Sequence, residues 1–100
     1  MLEREIEKKL ITEVRRLGGR AYKWVSPGSN GVPDRIIIMP GGKIIFTELK
    51  TTTGRLTDLQ KMQQRILRQL GCDIRTIYGP EQVQGFIDGL KASMMREETK

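Results

Sequence analysis

Three residues of this chain have the types and spacing to do chemistry together. Asp34 follows Pro33 at the start of one predicted strand, and Glu48-Leu49-Lys50 closes the next. Side chains two apart on a strand share a face, so Glu48 and Lys50 project together. A hairpin centred on Gly41 would set Asp34 directly opposite Glu48, whereas a one-residue slip would send it to the wrong face. The reading therefore requires an odd-numbered loop or a bulge at residues 40–42. Two carboxylates can hold a divalent cation, and a neighbouring lysine can orient a water or offset developing negative charge. Those are the parts of a metal-dependent phosphodiesterase.

Composition limits the alternatives. The chain has 100 residues, no histidine and one cysteine, Cys72. That excludes an intrachain disulfide, the usual zinc site and a Cys/His or Ser/His pair. A metal would be held by oxygen, which points to magnesium or manganese. The net charge of +6 and a pI near 9.8 suit a polyanionic partner, with nucleic acid first and an anionic membrane surface second. Many small basic proteins carry such charge without a specific partner. The N-terminal residues lack a signal-peptide core, and no stretch is apolar enough to cross a bilayer, so a cytoplasmic location in a bacterial or infected host cell is expected. Cys72 reads as a small buried residue flanking a strand.

The elements that must position these residues follow from periodicity. Leu2, Ile6, Leu10, Val14 and Leu17 recur at helical spacing until Gly18-Gly19, predicting a helix over residues 2–17. Strands are predicted at 20–25, 34–39 and 43–50, with Pro40-Gly41-Gly42 as the turn between the last two. Ile36, Ile38, Ile44 and Phe46 fall on one face of the hairpin, and Ile37, Ile45 and Leu49 on the other. A sheet apolar on both faces is expected to be covered by helices on both, with Ile44 and Phe46 buried. Thr57 with Gln60 three residues later makes a capping box. Leu59, Met62, Ile66 and Leu70 then form a helical stripe ended by Gly71. A fourth strand at 73–78 and a helix opening near Pro80, with Val83, Phe86, Ile87 and Leu90 apolar, complete an α-β-β-β-α-β-α order. The expectation is one domain over residues 1–100, with a core at about residues 3–90, a tail at 91–100 and fraying from residue 94.

With these residues in place the chain resembles the PD-(D/E)XK nuclease superfamily, and within it the VRR-NUC family of stand-alone phage and bacterial type. The likeness is carried by Gly18-Gly19, Lys23, Ser26-Pro27-Gly28, Gly31-Val32-Pro33-Asp34-Arg35, Pro40-Gly41-Gly42, Glu48-Leu49-Lys50 and Gln60. It implies a restriction-endonuclease-like αβββαβ core, in which a central mixed four-stranded sheet is flanked by helices. It also implies that Asp34 bridges a magnesium or manganese ion and the scissile phosphate, that Glu48 and the Leu49 carbonyl complete the metal shell, and that Lys50 positions the attacking water. Gln60 resembles a family glutamine, and the capping box is its ordinary alternative. Members often add a glutamate from the first helix. Glu3, Glu7 and Glu13 compete for that place; comparison with related junction resolvases and the inward flank of the helical wheel favour Glu7, against a plain surface pair with Lys8 or Arg4.

Lys23, Ser29, Arg35 and Arg55 are candidate DNA contacts, each with a bland alternative as a solvated charge or a turn residue. Trp24 and Tyr22 read as packing residues or part of a dimer surface. The resemblance implies a homodimeric, structure-selective endonuclease acting on branched DNA, in the manner of a four-way (Holliday) junction resolvase. The competing readings are a nicking, flap or general nuclease of phage DNA metabolism, a non-catalytic nucleic-acid-binding module, and a basic interaction protein whose acids merely edge a sheet.

Overall fold

The computed structural model describes residues 2–98. Its order is α1 (Glu3–Arg16), β1 (Arg20–Lys23), β2 (Arg35–Ile38), β3 (Ile44–Lys50), α2 (Asp58–Gln69), β4 (Ile74–Tyr78) and α3 (Gly79–Glu98). One four-stranded sheet runs β1-β2-β3-β4. The β1–β2 and β2–β3 pairs are antiparallel, and β3–β4 is parallel with α2 as the crossover. The sheet is therefore mixed and flanked by helices, as the sequence predicts. No described helix is long and apolar enough to cross a membrane.

The hairpin turn sets the site. Arg35 pairs with Thr47 and Ile38 with Ile44, so the register is centred on position 41. The Met39 N–H donates to the Lys43 carbonyl (2.9 Å) and the Gly42 N–H to the Met39 carbonyl (3.0 Å). The three-residue loop Pro40-Gly41-Gly42 is the odd-numbered turn that the chemistry required. Gly41 and Gly42 hold φ values of +91° and +85°, a region that side chains with a Cβ disfavour.

The core lies on one face of the sheet. Ile6, Leu10 and Val14 of α1 pack with Ile37, Ile45, Leu49 and Ile77 of the strands and with Val83, Ile87 and Leu90 of α3, all buried. Each such side chain is worth about 1.5–3 kcal/mol when fully buried. This layer supplies most of the apolar driving force, so the opposite face can stay partly open.

That openness departs from the expected two-sided cover. α2 meets the opposite face at β3 and β4, where Gln60 reaches Glu48 and the buried Gln64 donates to Thr76 Oγ1 (2.8 Å). The apolar stripe Leu59, Met62, Ile66 and Leu70 is 40–74% exposed. Ile44 is exposed and Phe46 half-buried, although burial of both was expected. A helical apolar period records amphipathicity, and here the side of α2 that meets the sheet is largely glutamine. Trp24 packs on Phe46, with ring centroids 5.1 Å apart. Cys72 is half-buried. The C-terminal segment does not fray from residue 94: α3 continues through Glu98, and residues 99–100 lie outside the described residues.

Candidate active site

Asp34 sits one residue before β2, and the register continued by that residue puts it opposite Glu48. Pro33, fully buried, fixes the chain's entry to it. β2 begins only after Asp34, so at this end of β3 a side chain stands where the partner strand's backbone would be. The Asp34 carboxylate fills that place, its Oδ2 accepting from Leu49 N–H at 2.8 Å. The loop before Asp34 is seated against the start of α2. Gly31, at φ +87°, lies so close that a Cβ would stand 2.7 Å from the Leu59 carbonyl carbon.

Glu48 is 1% exposed. Its Oε2 accepts from Gln60 Nε2 (3.2 Å) and lies 3.8 Å from Lys50 Nζ. Its Oε1 is buried without a hydrogen-bond partner. Burial, then the neighbouring charge of Asp34, push the Glu48 carboxyl up to about 8, against the pull of Lys50. Glu3 adds a smaller upward push.

Gln60 both closes the capping box and reaches Glu48. Its backbone N–H donates to Thr57 Oγ1 (3.1 Å) and its Oε1 accepts from the Thr57 N–H (2.9 Å), closing the capping box. That fixes the first turn of α2 and leaves the amide NH2 for Glu48. Asp34, Glu48, Lys50 and Gln60 are thus brought together.

Glu7 does not join them. Its carboxylate is ion-paired with the Arg35 guanidinium, whose Nε donates at 3.0 Å while Nη1 donates to the Ala21 carbonyl at 3.1 Å. Arg35, whose side chain is 15% exposed, is thereby turned to α1 and the β1 backbone. Among the helix acids it is Glu3 whose charge acts on Glu48. Periodicity could have placed either acid, because helical spacing gives the face but not the depth along the sheet. Lys23, Ser29 and Arg55 are exposed, and the Ser29 N–H closes a turn onto the Ser26 carbonyl (3.1 Å).

A buried carboxylate oxygen without a partner, beside a second acid, fits a divalent cation. Among the described residues no group of three or more metal-ligating side chains occurs. The side-chain donors are therefore two, Asp34 and Glu48. The Leu49 carbonyl, on the strand edge its N–H shares with Asp34, is the backbone donor at hand.

No protein-family model matches the chain. The chain is similar to "Putative nuclease p44" of Acyrthosiphon pisum secondary endosymbiont phage 1, with 51% identity over 69 residues that span 69% of this chain and 74% of that protein. A solved structure described as "VRR_NUC domain" superposes with a TM-score of 0.81 at 26% identity, covering 86% of this chain and 94% of its own. A second, "VRR_NUC domain protein", superposes with a TM-score of 0.70 at 18% identity over 88% and 86% of the two chains, a likeness of fold.

Proposed function

Since the chain belongs to the VRR-NUC family of nucleases, we propose that it is a divalent-metal-dependent, structure-selective DNA endonuclease that cuts four-way junctions as a homodimer. The observation that carries the metal-dependent chemistry is Glu48: a buried carboxyl with one oxygen unpaired, facing Asp34 and flanked by Lys50.

Asp34, Glu48 and the Leu49 carbonyl would hold the ion, and the charge of Glu3 also acts on Glu48. A magnesium or manganese ion bound there supplies Lewis acidity toward the scissile phosphate and activates water. Lys50 Nζ, 3.8 Å from Glu48 Oε2, would orient the attacking water and offset charge gathering on the phosphate oxygens. Gln60 holds Glu48 Oε2, which would leave Oε1 available to ligate a cation. The Leu49 N–H holds Asp34 Oδ2, which would leave Oδ1 available as well.

Substrate choice rests on symmetry. Two copies related by a two-fold axis would present two sites of opposite polarity, which suits paired nicks in a junction. The open apolar face of α2 supports such pairing.

The test is cleavage of a labelled four-way junction beside duplex, flap and single-stranded DNA, in magnesium, manganese or EDTA. Asp34→Ala and Glu48→Gln are the controls. Paired nicks lost in EDTA and in both variants, with DNA binding retained, are expected. Cutting confined to flaps, or spread over every DNA, would discard the junction reading and keep the chemistry. Binding without any cutting would turn the chain into a nucleic-acid-binding module, and full cleavage by Glu48→Gln would overturn the site.

A further inference from the structure

The flank of α2 away from its apolar stripe is cationic. Lys61, Arg65 and Arg68 line an open groove of about 480 Å³ together with Leu56, Gln64 and Gln69. The helix carries a single acid, Asp58. Among the described residues none of these three cations forms an ion pair with an acid. We propose that Lys61, Arg65 and Arg68 form a backbone track that carries one DNA strand away from the cutting site. The proposal rests on the nuclease reading above and adds the path of the substrate arm.

Three features support the track. The first is placement: Lys61 follows Gln60, whose amide touches Glu48 Oε2, so the cationic row begins beside the site and runs down the helix from there. The second is spacing. Residues 61, 65 and 68 span about 10 Å at 1.5 Å rise per residue. One strand of duplex carries a charge per about 3.4 Å of axis, so the row faces about three phosphates. The third is support. The Arg68 guanidinium donates to Gln64 Oε1 (3.2 Å), and the buried Gln64 amide is anchored on Thr76 Oγ1 (2.8 Å), the β4 neighbour of Glu48. A merely solvated arginine needs no buried amide to aim it; one that must meet a phosphate gains by having its side chain ordered beforehand.

The experiment measures binding of the full chain to a labelled four-way junction and to duplex, in EDTA, between low and moderate salt. One variant carries Lys61→Gln, Arg65→Gln and Arg68→Gln. A charge-matched control carries Lys8→Gln, Arg15→Gln and Lys91→Gln, exposed cations of the α1–α3 layer. The track variant should lower the slope of log affinity against log salt by about 2–3, at about 0.9 per lost phosphate contact. Lys61→Gln and Arg65→Gln alone should each remove about one contact's worth. In magnesium the track variant should raise KM at least tenfold while kcat at saturating junction holds, and the control should change neither. Equal loss in the two triple variants would mean that net charge alone matters and would overturn the track, as would an unchanged slope. If the unsubstituted protein binds no DNA, the nuclease reading falls and the track with it; if it binds and cuts while the triple variants match, the track alone falls.

Discussion

At the scale of single residues, Glu48 couples stability to pH. Its carboxyl is raised from an ordinary 4.5 to about 8 by burial and by Asp34. Below about pH 4.5 it is protonated folded and unfolded, and it contributes no pH dependence. Between 4.5 and about 8 the unfolded chain releases the proton while the folded chain keeps it, so stability falls as pH rises. Above about 8 the folded protein carries the buried charge at a cost on the order of a few kcal/mol. In EDTA the Tm should therefore decline from pH 5 to 9, with a shallower decline in Glu48→Gln. Manganese should reverse it, because a bound cation replaces the proton, and its Tm gain should grow with pH. An equal slope in Glu48→Gln, measured by circular dichroism, would remove Glu48 as the cause. The nearness of Asp34, Glu48 and Lys50 was legible in the chain because strand parity and an odd turn are local properties. The partner of Glu7 was not, since Arg35 lies 28 residues away and its orientation depends on how α1 crosses the sheet.

At the scale of elements, the site depends on the seam between the loop before Asp34 and the first turn of α2. Gly31 is the closest approach, and its positive φ adds strain to any substitution. A Cβ 2.7 Å from the Leu59 backbone cannot be absorbed by a flexible side chain, so α2 or the loop must shift. Gly31→Ala is expected to lower stability by about 1–3 kcal/mol. It should also weaken manganese binding, because Asp34 and Gln60 would lose their common alignment. Thermal melts with and without manganese test this; an unchanged metal-induced shift would show that the seam does not set the site. The seam also marks where sequence reading stops. The capping box at Thr57 was readable, because its partners are three residues apart. The cover of α2 was not, because the same apolar stripe describes a helix packed in a core and a helix left open. The glutamines carry the information instead: Gln60 and Gln64 reach Glu48 and Thr76, so the side of α2 bearing them meets the sheet.

At the scale of the molecule, the proposed pairing rests on the open stripe of α2. Leu59, Met62, Ile66 and Leu70 are exposed on the same side of the sheet as Tyr22 and Ile44. Large apolar side chains collected on one exposed helix face mark a surface suited to a protein partner. A two-fold pairing would set this surface against its own copy, and the cations of Lys61, Arg65 and Arg68 would stay clear on the opposite flank of the helix. Ile66 sits in the stripe with 43% of its surface open, so a charge there is tolerated by the isolated fold and penalised in a pair. The unsubstituted protein should run as a dimer by light scattering at micromolar concentration, and Ile66→Glu as a monomer with unchanged circular dichroism. The monomer should still nick DNA, because each site is built within one chain, but the two cuts in a junction should become uncoupled and leave singly nicked intermediates. Coupled cuts from a proven monomer would separate junction cleavage from pairing, and a monomeric parent would assign the stripe to a different partner.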